Sequence, residues 1–196
     1  MRVIVIGGTG TIGSAVVKRL STRHEVVVVG HKKGTFQVDL ASPDSITSLF
    51  KAVGTCDAVV STAGVAKFAS LDDLTYDDYF IGLKNKLMGQ ANLVRIGKPF
   101  VTNHGSFTLT SGVLSQNPMK GSCAISMVNA GLEGFVRAAA IDLPRGLRVN
   151  VVSPPWVTET LIARGMDPSI GIPADQVAQA YLASVEGTMT GQTLDP

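Results

Sequence analysis

The chain is poor in cysteine, charge and aromatic residues. Only two cysteines occur in 196 residues, Cys56 and Cys123, far apart and in no CxxC spacing. That excludes a disulfide scaffold and a thiolate metal site, so no metal is expected and both thiols are predicted to be buried and free, as in a reducing compartment. Charged residues make up 16% and the formal net charge is +2. The basic residues are scattered except at His31-Lys32-Lys33, which argues against a nucleic-acid partner. No segment reaches about 18 uninterrupted apolar residues, so no membrane span is predicted. MRVIVIGG is too short an apolar run for a secretory leader. The expected location is therefore the cytoplasm.

Hydrophobic residues are plentiful, at 45%, enough for a core on both faces of a sheet. Short β-branched runs at 2–6, 25–29, 35–38, 57–61, 106–111, 147–153 and 192–194 alternate with helical patterns at 11–22, 43–54, 76–96, 123–142 and 174–185. Near-continuous apolar strands alternating with helices imply a parallel sheet buried on both sides. The predicted fold is a single Rossmann-like doubly wound α/β domain over 1–196, with about seven strands. The helix CAISMVNAGLEGFVRAAAID (123–142) is unusually apolar and carries Gly131 and Gly134, where glycine costs roughly 1 kcal/mol each against alanine. These glycines read as close-packing points against a neighbouring helix.

GGTGTIG (7–13) sets Gly7, Gly10 and Gly13 between the first strand and the first helix. In that position glycines turn the chain sharply and let backbone approach a pyrophosphate. Backbone N–H groups from Thr9, Thr11 and Ile12 then face the phosphates at a helix N-terminus. An NAD-selective site usually carries an acidic residue at the end of the second strand. Here Gly30 or His31 takes that position and Lys32 and Lys33 follow, so positive charge faces a ribose 2′-phosphate. NADP(H) is the preferred cofactor and NAD(H) the alternative. Asp39-Leu40 follows the third strand, where a carboxylate can accept from an adenine amino group.

These residues resemble the short-chain dehydrogenase/reductase family, nearly end to end. STAG (61–64) is similar to the family's NNAG, with Ala63 and Gly64 matching. LTSG (109–112) aligns Ser111 with the family's catalytic serine. LRVNVVSPP (147–155) resembles RVNxVxPG, and TGQTLDP (190–196) resembles the closing TGQxL segment. The resemblance implies that the loop with Pro154 and Val157 contacts the nicotinamide end. Trp156 between them could wall a substrate pocket, and residues 160–172 would form a lid suited to a small substrate.

The resemblance departs at the active-site helix. Aligning LEGF (132–135) with the family's VEGF-like segment puts Ile125 at the YxxxK tyrosine and Asn129 at its lysine. Neither can replace the proton relay, although Asn129 can hydrogen-bond ribose. Upstream, KLMG (86–89) aligned with NLKG puts Lys86 at the family's active-site asparagine, with Lys84 facing elsewhere. General acid–base help is worth about 3–5 kcal/mol, and holding reactants in attack geometry about 7–11 kcal/mol. A slow reductase survives that loss. The expected activity is NADP(H)-dependent reduction of a small carbonyl or enone, with Lys86 and Ser111 polarising the oxygen. The rival reading is an NADP(H)-binding sensor or interaction protein without turnover. The resemblance also implies a homodimer or homotetramer built on the 76–96 and 123–142 helices.

Overall fold

The computed structural model describes residues 1–196. Seven strands form one parallel sheet: β1 (Arg2–Ile6), β2 (Glu25–Gly30), β3 (Phe36–Gln37), β4 (Cys56–Ser61), β5 (Val101–Thr110), β6 (Arg148–Val152) and β7 (Thr193–Leu194). Their spatial order is β3-β2-β1-β4-β5-β6-β7. Winding runs outward both ways from the β1/β4 pair, which opens a crevice at the carboxyl ends of those two strands.

Strand alternation explains the two cores. In β1, Val3 and Val5 point to the face covered by α1 (Thr11–Leu20) and α7 (Ala174–Glu186), where Val16, Leu20, Val177 and Tyr181 are buried. Ile4 and Ile6 point the other way, into a larger core with Leu49, Phe50, Leu93 and Leu132. That core lies under α2 (Pro43–Val53), α4 (Met88–Gly97) and α5 (Cys123–Asp142). The two-residue alternation of a strand thus serves both helical layers.

The helix expected over 76–96 is interrupted. It consists of α3 (Tyr76–Gly82), a π-helical turn at Leu83–Leu87 and then α4. β5 begins at Val101 rather than at 106, but Val101 pairs with Cys56 and Ser106 with Ala58, so the intervening residues bulge. The lid segment contains a short helix, α6 (Thr158–Ala163), that periodicity did not reveal.

By length and apolarity α5 would suffice to cross a bilayer. Here its Val128-Leu132-Val136 stripe is buried against the sheet. The close packing expected at its glycines holds for Gly131, where a Cβ would lie 3.1 Å from Leu87 Cδ2, but Gly134 meets nothing nearer than 3.9 Å. The thiol expectation is corrected for one cysteine. Both are free and Cys56 is buried, its thiol pushed up to about 12 by burial, whereas Cys123, at the open start of α5, is exposed.

Candidate active site

The glycine turn is built as the sequence requires. Gly7 adopts φ +80°, and its N–H and that of Gly8 donate to Val29 O, at 2.8 and 3.2 Å. A Cβ on Gly13 would sit 2.0 Å from Gly7 O, so the helix can start this close to the strand only with glycine there. Gly10 is the N-cap of α1 and supplies no side-chain cap, which leaves first-turn N–H groups free for an anion.

A cavity of about 380 Å³ opens beside this turn, lined by Gly7, Thr9, Gly10, His31, Ala63 and Gly64 among others. Gly30 also borders it, and a Cβ there would lie 2.1 Å from Lys33 O, so no side chain fits at position 30 itself. Lys32 and Lys33 are exposed on the adjoining turn and do not line the cavity. Asp39 is corrected. Its Oδ1 accepts from the Ala41 N–H at 2.9 Å, and the flanking Val38 and Leu40 face the cavity instead. Thr11 lies on a separate depression along α1.

Thr62 also lines a second cavity of about 320 Å³, which continues the cleft. Ile12, Asn129, Pro154 and Val157 line it, with Lys86 and Ser111. Phe68, Ile125 and Trp156 supply apolar wall, and no tyrosine borders it. Asn129 Nδ2 donates to Gly112 O at 3.2 Å, while its Oδ1 is buried without a partner. An unpaired acceptor on a residue that lines the cleft, and a turn where a Cβ on Gly7 or Gly13 would meet its neighbours at under 3 Å, suit a dinucleotide's ribose hydroxyls and phosphates. The residues present therefore fit a nicotinamide cofactor.

Lys86 is only 8% exposed. The π-helical turn carries it inward, and extra residues of this kind within helices often occur at functional sites. Gly64 makes room for its stem, since a Cβ there would lie 2.7 Å from Lys86 Cγ. The ammonium donates to Ser111 O at 2.8 Å, and no carboxylate pairs with it. Burial lowers its pKa from 10.5 to about 8. Lys84 points away, 5.5 Å over the Phe80 ring.

Ser111 borders the cavity, but its hydroxyl donates to Glu133 Oε1 at 3.0 Å, away from any substrate oxygen. Ser115 donates to the same Oε1 at 2.6 Å. Ser111 and Lys86, both expected to polarise a carbonyl, thus border the same cavity. Tyr76 is exposed at the start of α3, its ring tilted against that of Phe80, and His24 pairs with Glu186. His104 sits on the β5 bulge at φ +62°, and none of the three reaches the cavity.

Sequence reasoning missed Glu133 and Gln90. Glu133 had a signal: with Asn129, Leu132 and Val136 it forms the i, i+3, i+4, i+7 stripe that the helix buries. Gln90 had none. Fully buried, its amide spans Thr110, donating to Thr110 O at 2.9 Å and accepting from Thr110 N at 2.8 Å. It thereby locks α4 to the strand end that presents Ser111. Arg164, at the end of α6, also reaches the rim of the second cavity.

Fold and cleft together define a nucleotide-binding short-chain dehydrogenase/reductase, and the chain belongs to that family. Residues 11–193 match the family model described as enoyl-(acyl carrier protein) reductase. Among curated proteins, the chain is 27% identical to carbonyl reductase family member 4 of Danio rerio, over 97% of this chain and 94% of that one. A crystal structure of the protein lin1944 from Listeria innocua superposes with a TM-score of 0.96 at 37% identity, covering 100% of this chain and 98% of that one. A small-chain dehydrogenase solved in complex with NADPH gives a TM-score of 0.87 at 25% identity, covering 100% of this chain and 96% of that one.

Proposed function

We propose that the protein is an NADP(H)-dependent reductase of a small carbonyl or enone, with Lys86 as the acid. The observation that carries this reading is a buried ammonium, unpaired with any carboxylate, on the wall of an apolar cavity at the nicotinamide end. A bound nicotinamide supplies a hydride to the carbonyl carbon. Lys86 donates to the oxygen as charge develops there, and its pKa near 8 keeps the donor protonated at neutral pH while bringing it close to the range where transfer is efficient. Phe68, Ile125 and Trp156 exclude water, which strengthens that interaction. Asn129 Oδ1 holds a ribose hydroxyl.

The bare strand end at Gly30, with His31 in the cleft and Lys32 and Lys33 beside it, favours NADP(H) over NAD(H). Two free thiols suit a reducing, cytoplasmic compartment. The test is NADPH oxidation with a panel of small ketones, aldehydes and enones. Turnover in the wild type and its loss in Lys86→Ala, with nucleotide binding retained, is the expected result. A cavity without a phenol beside Ser111 supports the second reading, a nucleotide-binding sensor. Saturable NADPH binding with no oxidation by any substrate would favour it.

A further inference from the structure

We propose that Ser111 faces the substrate as a hydrogen-bond acceptor, held so by Glu133, and that the preferred substrate is a ketone or aldehyde bearing a hydroxyl on the adjacent carbon. This rests on the reductase reading and names its substrate class.

A serine hydroxyl has one hydrogen and two lone pairs. The acceptors in reach of Ser111 Oγ both lie behind it: Glu133 Oε1 at 3.0 Å and Val152 O at 3.5 Å. The carboxylate is nearer and stronger. It is itself buried, appears in none of the ion pairs, and is held by the Ser111 and Ser115 hydroxyls. With the hydrogen drawn back into the protein, Ser111 offers lone pairs to the cleft.

Lys86 presents the opposite polarity. One of its three hydrogens goes to Ser111 O, leaving two for a ligand. Donor and acceptor are thus tied to a single residue, the ammonium on its carbonyl and the lone pair on its side chain. A vicinal hydroxy-carbonyl compound matches both: its C=O accepts from Lys86 and its O–H donates to Ser111. A plain ketone leaves the serine acceptor against a methylene with no hydrogen bond. Glu133 acts through Ser111 and is a positioning residue.

The experiment compares kcat/KM of NADPH oxidation for hydroxyacetone and methoxyacetone. Both carry an electron-withdrawing oxygen beside the carbonyl, but only the first has a hydrogen to donate. The wild type should favour hydroxyacetone by about tenfold or more. In Glu133→Gln an amide N–H can donate to Ser111 Oγ and release the serine hydrogen toward the cleft, so the preference should collapse or reverse. Ser111→Ala should level the two ketones, with NADPH still raising the melting temperature. A merely structural role would lower both substrates together and leave their ratio unchanged. Measurable turnover with a wild-type ratio near one overturns this inference and leaves the reductase reading standing. Saturable NADPH binding without reduction of either ketone, or of the wider panel, overturns both.

Discussion

Burying Lys86 costs stability that a surface lysine would not. Its folded-state pKa of about 8 lies below the ordinary 10.5, so the native chain holds this proton less tightly than the unfolded chain does. The penalty is full below pH 8, and stability recovers as pH rises from about 8 to 10.5, where only the unfolded state remains protonated. Lys86→Met should therefore stabilise the protein at pH 7, by up to about 3 kcal/mol, with the gain shrinking toward pH 10. Urea titrations of both proteins at the two pH values check this. In catalysis the same group works in the other direction. If the ammonium is the acid, kcat for carbonyl reduction falls above about pH 8, and in Lys86→Ala a pH–rate profile should lose that limb. The lysine's candidacy was legible because KLMG (86–89) lines up with a known helix motif. Its burial was not, because nothing in LKNKL distinguishes a lysine drawn inward from one in solvent.

At the level of elements, short β-branched runs made the strands recognisable, and glycines marked the strand–helix turn. The π-helical turn at Leu83–Leu87 had no such signal: its extra residue is an adjustment to packing that leaves composition unchanged. Gln90 was hidden for a related reason, since a glutamine in a helix normally reads as solvent-facing. Its amide bonds Thr110 on both sides. Gln90→Leu should leave those two backbone groups unsatisfied and cost about 1–3 kcal/mol, measurable as a shift of the denaturant midpoint. Gly64→Ala tests the other support of Lys86. The added methyl would lie 2.7 Å from Lys86 Cγ and must push the stem aside. The expected outcome is a fall in kcat by steady-state kinetics together with weaker NADPH binding by fluorescence titration, since Gly64 also lines the nucleotide cavity at φ +155°.

For the whole molecule, both faces of the sheet are covered, and apolar surface remains on the helices. Ile81, Met88, Met127 and Ile141, on α3, α4 and α5, are all exposed. We propose that this surface meets a second copy. Light scattering should show a dimer or tetramer, and Met88→Glu combined with Met127→Glu should yield a monomer that keeps its far-ultraviolet circular dichroism. The fold's outline was readable because parallel winding demands β-branched strands spaced by helices. Which apolar residues of α5 stay exposed was not, because core-facing and solvent-facing apolar residues look alike in sequence.

The sheet's rims limit the alternatives. β3 and β7, its outermost strands, are each only two residues long. So short a margin offers a stranger's backbone almost nothing to zip onto, which protects the chain from growing sideways into aggregates.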